Sequence, residues 1–129
     1  MAPGKDGTVR VLSADDACPT LPIIDGEGTA RAVVWPGSGA QHRSMHLISL
    51  PAGGSTIPMR HEMEAVYYVV SGSGLVVDTD DGTENPLIEG SMVHVEPGTG
   101  YRLRAADTAM EVLGGPCPPD PALYAHLAT

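Results

Sequence analysis

Apolar residues alternate with polar or small ones in short runs along most of the chain, and each run stops at a glycine, proline or acidic turn. A period of two puts successive side chains on opposite faces of a strand, so such runs predict half-buried β-strands. The pattern predicts strands over residues 8–12, 28–35, 44–50, 66–70, 75–79, 85–88, 91–95, 101–105 and 108–113. Pro36-Gly37, Pro51-Ala52-Gly53-Gly54, Ser71-Gly72-Ser73-Gly74, Glu89-Gly90 and Pro97-Gly98-Thr99-Gly100 supply the turns. Asp81-Gly82 marks a hairpin loop over residues 78–84. Residues 1–7 read as a loose arm, and 13–20 as a loop in which Ser13 caps a single turn. Residues 114–121 hold four prolines and two glycines, which predicts no regular element; residues 122–129 predict a short terminal helix packed on the barrel or on a neighbour.

About ten short strands joined by hairpin-length loops predict an all-β fold, a double-sheet jelly-roll barrel with an immunoglobulin-like sandwich as the alternative. Strand parity then selects inward residues. Arg102 and Arg104 share one face, so Tyr101 and Leu103 point in; Val93 and Val95 share the apolar face, so His94 points out with Glu96. His46 shares a face with Ile48 and Leu50 and is expected to line the barrel. Over residues 64–70 both faces are largely apolar, so parity leaves the direction of Glu64 open.

The chain has 129 residues, the size of one domain, with its core expected over about residues 44–113. Phe is absent, so the core rests on aliphatic residues, Met, four Tyr and one Trp. A formal net charge of −9 argues against nucleic acid and anionic membrane surfaces as partners. No run approaches the ~20 apolar residues of a membrane span, and the start, MAPGKDGTV, lacks a signal-peptide core, so a cytoplasmic location is expected. Cys18 and Cys117 lack the spacing of a metal knuckle and are expected as free thiols, a disulfide between them being the alternative.

Residues 58–74, PMRHEMEAVYYVVSGSG, resemble the first half of the cupin signature. Gly54, Pro58, the run 67–70 and Gly72 match the frame of its first motif, and Gly90 with Pro97-Gly98 that of its second. The resemblance implies a small cupin: a double-stranded β-helix that holds a divalent metal with three histidines and a glutamate. Those four positions fall on Met59, His61, Ala65 and Tyr101, so only His61 keeps the family's residue type. The run MEAVYY is also similar to one in ectoine synthase, a cupin cyclase. That register implies Glu64 as an iron ligand, maps the other two ligands onto Val93 and Tyr101, and needs a one-residue bulge to aim Glu64 inward.

His61, Tyr101 and Glu64 are therefore the candidate catalytic residues, with Met59, Tyr67, His46 and Val93 lining the pocket. A histidine moves protons near neutral pH, and a buried phenol holds a developing oxyanion. The expected function is acid–base chemistry on a small molecule inside the barrel, of isomerase, cyclase, dehydratase or lyase type. Two alternatives stay open: a metal-free cupin that binds or senses a ligand, and a metal-dependent cupin using His61, Glu64 and Tyr101 as ligands. Homodimerisation is expected, because small cupins pair through their sheets and residues 124–127 offer apolar surface.

Overall fold

The computed structural model describes residues 7–127; residues 1–6 of the expected loose arm, and residues 128–129 at the end of the expected helix, lie outside the described residues. Among the described residues, ten strands form two antiparallel sheets. One sheet runs β2 (Thr29–Val34), β3 (Met45–Leu50), β10 (Met110–Cys117), β5 (Glu64–Ser71) and β8 (Met92–Val95). The other runs β1 (Ile24–Asp25), β4 (Ser55–Thr56), β9 (Tyr101–Ala105), β6 (Gly74–Asp78) and β7 (Glu84–Leu87). This is the expected jelly-roll barrel. Its core lies between the sheets, where Ile48, Ala65, Val69, Leu103, Met110 and Val112 are fully buried.

Strand parity decides what points inward. In β5, Ala65, Tyr67 and Val69 are buried, while Val66, Tyr68 and Val70 lie on the outer face. In β9, Tyr101, Leu103 and Ala105 face in; in β8, Val93 and Val95 do. One end of the roll gathers the polar interior: β3, β5 and β9 begin there, and β2, β6, β8 and β10 end there.

Four local expectations are corrected or sharpened. Residues 8–12 pair with no strand, and Val9 and Val11 are each 91 % exposed. An alternating run with no sheet to cover its apolar side gains nothing from extension into a ladder. Residues 114–117, expected to be irregular, continue β10, pairing Gly114 with Tyr67 and Cys117 with Glu64. Proline is accommodated because β3 has already run out beside it: the Pro116 carbonyl accepts from the Ser44 hydroxyl, and its N lies on the same unpaired side. Gly114 has φ 153, and a Cβ there would lie 2.0 Å from the Val66 carbonyl oxygen, so only glycine carries the strand through. The terminal helix is a 3-10 helix, Pro121–Leu127. The turn in the N-terminal loop is opened by Asp15 rather than Ser13, since its carboxylate accepts from Ala17 N.

Candidate functional site

A line of hydrogen bonds crosses the polar end of the roll. Asp120 Oδ2 lies 2.7 Å from His61 Nδ1, His61 Nε2 lies 2.9 Å from the Tyr101 hydroxyl, and that hydroxyl lies 2.5 Å from the Tyr67 hydroxyl. His61, Tyr67 and Tyr101 are all at most 5 % exposed. Tyr67 comes from the inner face of β5 and Tyr101 from the first residue of β9. His61 sits in the link between β4 and β5; its carbonyl accepts from Gly98 N, and Met59 and Tyr101 exchange backbone bonds of 2.7 and 2.9 Å. Arg60 donates to the Gly98 carbonyl and to the Asp80 carboxylate, which accepts from Gly100 N, so the three loops around His61 are tied together.

Asp120 follows β10 and starts the C-terminal 3-10 helix. Its Oδ1 accepts from Ala122 N, which leaves Oδ2 aimed at His61. A carboxylate only accepts, so a neutral His61 carries its proton on Nδ1 and presents Nε2 as an acceptor. Tyr101 then donates to Nε2 and Tyr67 donates to the Tyr101 oxygen, which keeps one lone pair free. If Tyr101 accepted a proton, its own proton could move to His61 Nε2, and Asp120 is placed to stabilise the imidazolium that would form. The logic is that of a carboxylate–histidine pair activating a hydroxyl. Burial is the main cause that pushes the ionisation of Tyr67 and Tyr101 far above that of an ordinary phenol, so both are neutral donors at rest.

A second buried pair lies beside the first. His46 Nε2 is 2.7 Å from the Tyr124 hydroxyl, and Tyr124 packs on Trp35 with ring centroids 5.1 Å apart. Burial, with a smaller contribution from the charge of His61, lowers the pKa of His46 from 6.5 to about 4. Burial is also the main cause that raises Tyr124 to about 12.

The structure thus brings His61 and Tyr101 together, with Tyr67 and Met59 beside Tyr101 and His46 nearby. It does not bring Glu64 to them. Glu64 lies on the outer face of β5, half exposed, with its carboxylate 3.3 Å from His94 Nε2. Pairing of β5 is regular on both sides at Ala65, and the bulge on this strand falls opposite Glu111 and Val112 instead. The inward Glu64 of the ectoine synthase register is therefore overturned. Val93 faces in as an apolar wall. Asp120 and Tyr124 were missed, although Pro119-Asp120-Pro121 is a helix-start signal, an Asp cap followed by proline at the first helical position. Of the two expected placements of the terminal helix, on the barrel or on a neighbour, Tyr124 takes the first: it is 9 % exposed and packs on His46 and Trp35 of its own barrel. Cys18 and Cys117 are free thiols.

The residues present do not fit a divalent ion. At the positions implied by the cupin resemblance, Met59 and Ala65 offer a thioether and a methyl group, and both His61 nitrogens are engaged. With Glu64 outside, the set His61, Glu64 and Tyr101 does not converge. Among the described residues no group of three His, Cys, Asp or Glu side chains is arranged to hold a metal.

A family model described as "Cupin domain" matches residues 46–113. Among solved structures, the polyketide cyclase RemF from Streptomyces resistomycificus superposes with a TM-score of 0.71 at 22% identity, over 89% of this chain and 82% of that one. An RmlC-like cupin from Shewanella frigidimarina gives a TM-score of 0.67 at 18% identity, over 86% of this chain and 93% of that one. KdgF from Halomonas sp. gives 0.61 at 19% identity, over 74% and 84% of the two chains. At these identities the likeness is one of fold. No curated protein matches the sequence.

Proposed function

The chain belongs to the cupin family, and from that premise we propose that it is a small-molecule enzyme driven by protons rather than by a metal, of isomerase, cyclase, dehydratase or lyase type. The observation that carries this reading is the line Asp120–His61–Tyr101–Tyr67. A hydroxyl backed by a histidine–carboxylate pair takes a proton from one atom of a substrate and returns it to another. Such groups contribute roughly 10²–10⁴ in rate. Cyclisation is within reach of this chemistry, and a polyketide cyclase is among the proteins of similar fold. The same reading takes the enzyme to be a cytoplasmic homodimer joined through the outer face of the β2-β3-β10-β5-β8 sheet, where Met45, Val66, Tyr68, Val70 and Met92 are each at least 38 % exposed.

The test is solvent deuterium exchange into carbonyl compounds with acidic C–H bonds, followed by NMR. Wild-type protein is expected to accelerate exchange, and Tyr101→Phe and His61→Gln to lose roughly 10²–10⁴ of the acceleration. Equal rates for wild type and Tyr101→Phe would sink the proposal. A second reading, a binding or sensing module, is favoured by the relay hydroxyls already satisfying one another inside the protein. Compounds that raise the melting temperature but are never exchanged or converted would support it.

A further inference from the structure

β7 and β8 are the edge strands of the two sheets on the same side of the roll, and no ladder joins them. The seam between them opens as a cleft of ≈ 280 Å³ lined by inward-facing Val76, Val93 and Val95, and it reaches Tyr101. The opposite side of this end is covered by the C-terminal segment. There the C-terminal segment lays Asp120 against His61 and Tyr124 against His46 and Trp35, beside β2 and β3 at the far edge of the first sheet. A molecule entering through the seam therefore meets Tyr101, whereas the larger cleft of ≈ 470 Å³ on the outer face of β5 reaches only Tyr67 among the groups of the hydrogen-bonded line.

The cleft also has a charge preference. Asp78, Glu96 and His94 line it, no Lys or Arg does, and His94 is already paired with the Glu64 carboxylate at 3.3 Å. An anion entering would lose hydration against valine methyls with two carboxylates at the walls and rim of the cleft, Asp78 accepting from Asp80 N and Asp81 N and Glu96 on the outer side of β8. Its volume lies at the small end of small-molecule sites, which run to roughly 1,000 Å³. The free lone pair on the Tyr101 oxygen accepts a hydrogen bond, so the complementary group on the ligand is a donor, and an O–H is the uncharged donor that also carries an acidic proton for the chemistry proposed above.

We propose that the β7–β8 seam is the ligand cleft and that it takes an uncharged, one- or two-ring molecule bearing an enol or phenol hydroxyl, presented to Tyr101. The chemistry at Tyr101 rests on the function proposed above; the location and charge preference of the cleft do not.

The probes are 2-naphthol and 2-naphthoate near neutral pH, where the first is uncharged and the second an anion, with binding followed in methyl NMR spectra of the full chain. Naphthol is expected to shift the methyls of Val76, Val93 and Val95, and naphthoate to bind at least ~10-fold more weakly. Val93→Phe, which fills the cleft, should abolish the shifts, and Glu96→Lys should narrow the gap between the two probes. Equal affinity for both, or shifts confined to the outer sheet face or to the C-terminal segment, overturns the cleft even if Tyr101→Phe still loses exchange activity. Shifts at the three valines, with naphthol preferred, uphold the cleft even if Tyr101→Phe loses no activity, and then only the catalytic reading falls.

Discussion

His46 is the sharpest handle on the polar interior, because its burial has a signed consequence for stability. The ring is 1 % exposed, bonded to Tyr124 and close enough to His61 for their charges to repel. It stays neutral in the fold, with a pKa lowered from 6.5 to about 4, mainly by desolvation. The unfolded chain takes up this proton near pH 6.5 and the folded one near 4, so acid favours unfolding between them. The contribution is whole above pH 6.5 and is lost progressively as pH falls towards 4. A pKa difference of that size is worth about 3 kcal/mol, a sizeable part of the roughly 5–15 kcal/mol that holds a domain together. Urea unfolding across this window should give wild-type protein a steeper loss of stability than His46→Gln. The excess slope should approach ~1.4 kcal/mol per pH unit, the value for one proton. Glutamine keeps a polar partner for Tyr124 while removing the titration, so carboxylates that titrate in both proteins cancel. Parallel pH slopes, or an NMR titration placing His46 near 6.5, would refute the reasoning.

Three further outcomes are expected. Gly115→Ala places a Cβ 2.6 Å from Ser44 Oγ and 2.9 Å from His46 Nδ1, so urea unfolding should show a loss of about 1–3 kcal/mol; an unchanged midpoint would mean the His46 ring has other room. Protein purified without a polyhistidine tag should carry no stoichiometric zinc, manganese or nickel by mass spectrometry, and adding those ions should leave the melting temperature in place, since a ligand specific to the fold would raise it. Light scattering should find a dimer for wild type and a monomer for Tyr68→Glu on the outer face; a monomeric wild type removes that interface.

Much of the fold was legible because parity is a strong code when one face is buried. Arg102 and Arg104 forced Tyr101 inward, and His94 with Glu96 forced Val93 inward, before any coordinates were needed. The code is silent where both faces are apolar, as in β5, and there a family register wrongly suggested an inward Glu64. The outer face of β5 reads as apolar without being core. The short strands β1 and β4 were also out of reach: two residues each make no period.

The site was half legible, and the missing half has one physical origin. Residues 114–121 look like a breaker by composition, yet Gly114 and Gly115 are glycines because the Val66 carbonyl and the His46 ring occupy the space of a side chain. Composition reports the cost of a regular strand there but not the crowding that requires it. Once β10 is carried to Cys117, the chain leaves it at the polar end of the roll, and Asp120 and Tyr124 fall opposite His61 and His46. Two buried imidazoles, one on the inner face of β3 and one in the link between β4 and β5, needed partners; the C-terminal segment supplies both. With a carboxylate behind His61 and a phenol in front of it, the ring can accept the Tyr101 proton at Nε2, and the one residue that keeps the family's ligand type becomes the middle of the proposed proton path.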